Sequence, residues 1–168
     1  QEAGITAIYV THDQSEAMSI SDKIIIMKSG VVAQIGTPSE IYYHPNSEFV
    51  ADFIGEANFL KGRMLSHDGT TGLMEIQGVK VEVADAAHIA DGKDATLVLR
   101  PESAVLGDQG FFPCKVVLSC FMGAYQNYHV MVGDTKVAIT DYNPKGRKVY
   151  QVGETAYLSF KKENVHVL

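Results

Sequence analysis

A histidine at the junction of a strand-like run and a helix-like run is the side chain best placed for chemistry. His12 follows the β-branched run Ile5–Val10 and precedes a polar segment that begins Asp13-Gln14. In open α/β sheets, ligands bind at the carboxyl ends of the strands. A neutral imidazole there can donate one hydrogen bond to a phosphate oxygen and accept another from water. His12 is therefore a candidate phosphate contact, and the alternative is a histidine that only serves the helix start beside Asp13 and Glu16.

The remaining side chains that could do chemistry have spacings that favour structural roles. The other histidines lack the spacing of metal ligands, so we expect ordinary surface or half-buried positions for His44, His67, His88, His129 and His166. No basic groove accompanies the aromatic residues, so we expect packing rather than base stacking for Phe111, Phe112, Phe121, Tyr125 and Tyr128. Arg63 and Arg100 could grip an oxyanion, and pairing with nearby carboxylates is the alternative.

Helix and strand signals alternate over the first 55 residues, as they do in α/β proteins. Thr11–Gln14 and Thr37–Glu40 have the spacing of a capping box, so each predicts a helix, the first through about residue 20 and the second ending before residue 44. A hairpin is predicted around Ser29-Gly30, between strands at 23–27 and 31–35. A third helix is predicted from near Ser47 to Gly55.

From about residue 56 the pattern changes to short strands separated by glycine turns. Eight strands suggest a barrel or a sandwich, and they are Phe59–Leu65, Gly72–Ile76, Val79–Val83, Ala95–Leu99, Cys114–Phe121, Asn127–Val132, Thr135–Ile139 and Thr155–Phe160. Residues 91–102 align without gaps on residues 152–163, with identical Gly, Ala, Leu and Glu. This repeat indicates two related β-units of roughly fifty residues.

Charge and composition exclude some classes of protein. Fourteen basic and twenty acidic residues give a net charge of −6, which disfavours a protein that binds nucleic acid through its phosphates. No apolar run approaches the roughly 20 residues of a membrane span. Cys114 and Cys120 would lie roughly 20 Å apart on one strand, so we expect two free thiols in a reducing compartment. The sequence begins without Met, which we expect of a piece of a longer chain.

The run Tyr9–Ala17 resembles the switch-histidine loop of ABC transporter ATPases, and residues 21–38 and 40–55 continue the resemblance. The pattern is similar to that of importer ATPases for sugars, polyamines, ferric iron and oxyanions. Leu99-Arg100-Pro101-Glu102 resembles the best-known tetrapeptide of the TOBE domain that extends this subgroup. The resemblance implies a mainly β fold with a small α/β remnant. Residues 1–55 would be the incomplete tail of a P-loop NTPase nucleotide-binding domain, and residues 56–168 an OB-like TOBE barrel with a regulatory role.

The resemblance also implies that His12 contacts the γ-phosphate in the intact protein, whose cofactors would be ATP and Mg²⁺. The phosphate-binding loop, the Mg²⁺-binding acidic residues and the signature motif do not occur in this sequence. We therefore expect the chain alone to bind no cofactor or metal and to hydrolyse no ATP. Only the parent protein is expected to be an enzyme, an ABC-type ATPase.

The partners implied by the resemblance are a second copy in a homodimer, membrane-spanning permease subunits and a small regulatory ligand at the barrel. Nucleic acid is not expected. The implied location is cytoplasmic, peripheral to the inner face of the cell membrane. Residues 121–132 resemble importers of ferric iron and polyamines, which favours one of these as the imported solute. One alternative is a stand-alone OB-like module for an oxyanion or oligonucleotide, which would have no use for the His12 loop. Another is a structural dimerisation domain without a ligand.

Overall fold

A computed structural model describes residues 6–168 of the chain. The predicted strand Ile5–Val10 begins with Ile5, which lies outside the described residues, and the prediction is wrong for residues 6–10, which form no regular element. Ile8 and Val10 are 91% and 90% exposed. A strand needs a neighbour for its N–H and C=O groups, and none of the described strands pairs with this run.

Three short helices and a hairpin form the N-terminal part. The elements are α1 (Gln14–Ile20), β1 (Ile24–Lys28), β2 (Val31–Gly36), α2 (Pro38–Tyr43) and α3 (Glu48–Phe53). The hairpin and the Thr37–Glu40 capping box are confirmed. The first predicted cap is wrong, since Asp13 rather than Thr11 accepts from the Glu16 N–H, at 3.0 Å. A carboxylate at the N-cap also interacts favourably with the positive end of the helix dipole. Because Asp13 is the N-cap, the helix begins two residues later than predicted.

A small apolar core joins these elements, with Ile24 and Ile26 from β1, Ile41 from α2, and Val50 and Ile54 at α3 all buried. The opposite face of the hairpin is open to solvent. None of the helices described for residues 6–168 has the length and apolar character of a membrane span.

The rest of the chain forms two five-stranded antiparallel sheets. The strands are β3 (Asn58–Asp68), β4 (Thr71–Ile76), β5 (Val79–Val83), β6 (Asp94–Leu99), β7 (Val105–Gly107), β8 (Phe112–Phe121), β9 (Tyr125–Val132), β10 (Thr135–Tyr142), β11 (Thr155–Ser159) and β12 (Val165–Val167). Their orders are β12-β6-β3-β4-β5 and β10-β9-β8-β11-β7. All eight predicted strands are confirmed. The sequence missed β7 and β12, which are too short to show a periodicity.

The two sheets are built from two similar units that exchange their last strands. Each unit has a three-strand meander, a fourth strand, a turn of 3₁₀ helix at Pro101–Ser103 or Lys162–Asn164, and a short fifth strand. β7 of the first unit pairs with β11 of the second, and β12 of the second pairs with β6 of the first. The repeat detected at 91–102 and 152–163 coincides with the fourth strands and 3₁₀ turns, so the two β-units are confirmed.

One continuous hydrophobic core serves both sheets, with Leu97, Met74, Val130 and Leu158 among its fully buried members. Asn58 is buried at the junction, where its amide donates to Leu99 O and Ala138 O and its Oδ1 accepts from Ala138 N. Because each sheet also contains a strand of the other unit, the two units form a single folding body.

Candidate functional site: the His12 loop and its attachment

His12 lies in an exposed loop directly before α1. Tyr9 Oη and Thr11 Oγ1 both donate to the Glu16 carboxylate, at 3.2 and 3.1 Å. Thr11 Oγ1 also accepts from Asp13 N at 2.9 Å, so the turn around the histidine is held by its neighbours. Within the described part of the chain, no hydrogen bond reaches the His12 ring. The imidazole is thus presented to solvent, as a contact to an incoming phosphate would need.

The helix that carries this loop is fixed to α3. Ala17 and Met18 pack against the small apolar core, and no residue of α1 is itself fully buried. The Gln14 side-chain amide donates to the carbonyl oxygen of Phe53, at the end of α3. The position of His12 therefore depends on where α3 ends.

A buried arginine attaches the same end of α3 to the β-sheets. Arg100 is only 5% exposed and lies between β6 and the first 3₁₀ turn. Its Nη1 donates to the carbonyl oxygens of Ala51, Gly55 and Glu56, at 2.7, 2.9 and 3.1 Å. Its Nη2 donates to Tyr42 O at 3.0 Å. Burial lowers the pKa of the guanidinium, which still remains charged because the ordinary value is so high.

Tyr42 completes the attachment. Its ring lies under the guanidinium, 4.2 Å from ring centroid to Cζ, in a cation–π arrangement. Its hydroxyl donates to Glu102 Oε1 at 2.6 Å, and burial together with this hydrogen bond raises the tyrosine pKa. Arg100 and Glu102 thus hold α2 and α3 together; we call Tyr42, Arg100 and Glu102 the clasp.

The contacts of Arg100 and Arg63 bear on the two roles considered for them, which are binding an oxyanion and structural pairing. Arg100 has a structural role, but its partners are main-chain carbonyls instead of the carboxylates expected. Within residues 6–168 its Nε is buried without a hydrogen-bond partner. Arg63 is exposed, donates from Nε to Gly92 O at 2.8 Å and lies 3.9 Å from Asp94. The sequence could not show the clasp, because the carbonyl acceptors of Arg100 lie 44–58 residues away along the chain.

Three of the histidines that looked scattered in sequence come together beside the clasp. His166 Nε2 donates to Pro45 O at 3.0 Å, and its ring lies 5.4 Å from that of His44 and 6.1 Å from that of His88. Burial, followed by the neighbouring His44, lowers the pKa of His166 to about 4. No group of three His, Cys, Asp or Glu side chains among residues 6–168 is arranged to hold a metal ion. The cluster is a second contact between the N-terminal part and the β-sheets.

The remaining histidines and the aromatic residues named in the sequence analysis lie partly at the surface and partly in the core. His67 pairs with Asp91 at 2.6 Å, which raises its pKa, and His129 is half-buried on β9. Phe112 and Tyr128 are buried in the core. The aromatic side chains at the surface or partly covered are Phe111, Phe121 and Tyr125.

Both cysteines are free thiols. Cys114 is buried, which raises its pKa to about 11, and Cys120 is exposed.

Comparison with known proteins identifies the C-terminal part of the β-sheet region. A family model described as the TOBE domain matches residues 97–168, which include Arg100 and Glu102. Residues 97–168 form a TOBE domain. The tetrapeptide that resembles the TOBE motif thus supplies two residues of the clasp, Arg100 and Glu102.

Relatives extend the similarity to nearly the whole chain. The chain is 37% identical to the spermidine/putrescine import ATP-binding protein PotA of Ruegeria pomeroyi, over 99% of this chain and 46% of that protein. It is 38% identical to PotA 1 of Pseudomonas aeruginosa, with the same coverage. It is 40% identical to the Fe(3+) ions import ATP-binding protein FbpC of Rhizobium etli, over 84% of this chain and 40% of that protein.

The chain is therefore similar to part of import ATP-binding proteins, as its sequence predicts, and spans less than half the length of these relatives. Among solved structures, it is similar to the cytoplasmic molybdate-binding protein ModG with molybdate bound. The TM-score is 0.51 at 16% identity, over 66% of this chain and 94% of that one. This likeness confirms the mainly β, OB-like fold of the TOBE domain.

Proposed function

We propose that this chain is the C-terminal part of the ATP-binding subunit of an importer. Residues 1–55 would end the nucleotide-binding domain, and residues 56–168 would form the regulatory region that contains the TOBE domain. The similarity to import ATP-binding proteins over 99% of the chain carries this proposal, because it includes the His12 loop as well as the β-sheets. In the intact subunit ATP and Mg²⁺ are the cofactors, and His12 contacts the γ-phosphate.

What His12 does follows from its chemistry. An imidazole N–H can donate to a phosphate oxygen on which negative charge develops as the terminal phosphoryl group departs. His12 is suited to this contact because it is exposed and its loop is held by Glu16. The residues that bind the nucleotide and Mg²⁺ belong to parts of the parent protein that this sequence does not contain.

The proposed partners are membrane-spanning permease subunits and a second copy of the same subunit. The subunit would work at the cytoplasmic face of the membrane. Two of the relatives named above import spermidine and putrescine and one imports ferric iron. A polyamine or ferric iron is therefore the solute class that we propose.

The alternative of a stand-alone module for an oxyanion or oligonucleotide has less support. Its best candidate ligands were Arg63 and Arg100. Arg100 is buried with both of its terminal nitrogens occupied by carbonyls, and Arg63 donates to Gly92 O. The Arg100 guanidinium is thus not free to bind an anion, and the exposed Arg63 by itself does not make a built anion site.

Transport by reconstituted liposomes tests the proposal. The full-length subunit that carries this chain is combined with its permease subunits and solute-binding protein, and uptake of spermidine, putrescine and Fe³⁺ is compared with ATP or ADP inside. We expect ATP-dependent uptake of one solute class. Failure of the subunit to associate with any permease, or uptake that is equal with ADP, would contradict the proposal.

A further inference from the structure

The end of α3 receives hydrogen bonds from two directions. Gln14 donates from α1 to Phe53 O, and Arg100 donates from the TOBE domain to Ala51 O, Gly55 O and Glu56 O. The last carbonyl groups of an α-helix have no partner inside the helix. Two side chains that are distant in sequence therefore donate hydrogen bonds to the carbonyl groups of one short main-chain segment, residues 51–56, which we call the α3 end.

On one side, Gln14 fixes the His12 loop to the α3 end. It is the first residue of α1 and lies two positions after His12. In the described part of the chain, it makes the one side-chain hydrogen bond that runs from α1 to another helix. A movement of the Phe53 carbonyl therefore either moves α1 and its loop or breaks this hydrogen bond.

On the other side, the clasp leaves the α3 end little freedom. A Cβ atom added at Gly55 would lie 3.3 Å from the Tyr42 ring and 3.7 Å from Arg100 Nη1, so the main chain fits closely between them. Removing a carbonyl from a buried, charged donor leaves both groups unpaired, which costs more than losing a surface hydrogen bond. The α3 end is therefore expected to follow Arg100 rather than separate from it.

We infer that Gln14 and Arg100 are positioning residues that connect the TOBE domain to His12 through the α3 end. A shift of Arg100, such as a second copy or a small ligand at the TOBE domain would produce, displaces the α3 end and changes where Gln14 holds the His12 loop. The effect is reciprocal, because a coupling free energy between two sites acts equally in both directions. The inference rests on the proposed function only for the role of His12.

Hydrogen exchange on the 168-residue chain tests the connection without any catalysis. Arg100→Lys keeps the charge but loses the planar fork that reaches four carbonyls. We expect the amides of α1 to exchange at least about fivefold faster in this variant. In the reverse direction, Gln14→Leu removes the donor at similar volume, and the amides of Ser103 and Ala104, which donate to Arg100 O, should exchange faster.

Two matched controls are available at the surface. Arg63→Lys and Gln109→Leu change the same residue types at exposed positions and should leave α1 unchanged. The Gln14→Leu arm is informative even if Arg100→Lys fails to fold. Faster exchange confined to the neighbourhood of each substitution would overturn the inference.

Kinetics of the full-length subunit separate this inference from the proposed function. Gln14→Leu should lower kcat for ATP hydrolysis with little change in the KM for ATP, because it misplaces a group that acts on the departing phosphate. If His12→Ala abolishes hydrolysis while Gln14→Leu leaves both kcat and α1 exchange at parental values, the inference fails and the proposed function stands. If exchange shows the connection but His12→Ala hydrolyses ATP normally, the role proposed for His12 fails.

Discussion

At the scale of single residues, Arg100 shows how a buried cation can be held without a carboxylate. Four carbonyl oxygens surround its terminal nitrogens, and Tyr42 lies against its face. The carbonyls at the end of α3 also carry the negative end of a helix dipole, which favours a cation there. The guanidinium therefore serves a junction between two parts of the chain.

Loss of this side chain should be costly. Arg100→Ala leaves four carbonyls without donors, and we expect the free energy of unfolding to fall by about 2–4 kcal/mol. Arg63→Ala is the matched control, because an exposed arginine with one main-chain contact should cost about 1 kcal/mol or less. Denaturant unfolding of both variants makes the comparison, and equal losses would contradict the structural role of Arg100.

His166 should make stability depend on pH. Its folded pKa is lowered to about 4 by burial and then by His44, whereas an unfolded histidine titrates near about 6.5. The unfolded state therefore takes up a proton first as the pH falls. The linked stability is complete above about pH 6.5, decreases below that value and is lost by about pH 4. The charged or titratable groups that face His166 are His44, His88 and Asp85.

A comparison with His166→Gln isolates this effect. The glutamine cannot titrate, but its amide can still donate to Pro45 O, so the contact is kept in neutral form. His67 has a raised pKa and acts in the opposite direction, and it is present in both proteins. Unfolding measured from pH 7 to pH 4 should show a smaller loss of stability in the variant. Parallel curves for the two proteins would contradict the assignment.

At the scale of elements, local signals predicted most of the structure. Capping side chains, glycine turns and the alternation of apolar and polar residues predicted the helices after Thr37 and Ser47, the hairpin and eight strands. The first run failed because residues 6–10 have the composition of a buried strand but no neighbouring strand among the described residues. The clasp and the histidine cluster could not be predicted, because their members approach one another only through the tertiary fold.

The exchange of β7 and β12 predicts how the β region can be divided. A chain that starts near Glu56 keeps both sheets and should melt cooperatively, although less stably than the parent because Arg100 loses Tyr42, Ala51 and Gly55. Chains that cover 56–107 or 108–168 alone should not fold, since each lacks a strand of its sheet. Circular dichroism melting compares the three. A cooperative transition in either half would contradict a single folding body.

At the scale of the whole molecule, the outer face of the β1–β2 hairpin leaves a large apolar surface uncovered. Ile25, Met27, Val31, Val32 and Ile35 are all about half or more exposed. Soluble proteins rarely leave such contiguous surface open. In an intact subunit it would be covered by the rest of the nucleotide-binding domain, and in this chain alone it is available to a second copy.

We therefore expect the isolated chain to self-associate. Light scattering should give a mass above the 18.3 kDa of one chain, rising with concentration. Ile25→Lys should reduce the association, whereas Val152→Lys, which adds the same charge at a similarly exposed apolar position outside the hairpin, should leave it unchanged. A constant monomer mass across concentrations would contradict the prediction.

ATP hydrolysis by the full-length subunit tests the account most directly. His12→Ala should lower kcat by about a hundredfold or more while the Kd for ATP changes little, because the side chain acts on the departing phosphate and not on nucleotide grip. His129→Ala, a half-buried histidine on β9, should retain parental values for both. Loss of ATP binding in His12→Ala, or hydrolysis at the parental rate, would contradict the claim that this chain supplies the γ-phosphate contact of an importer ATPase.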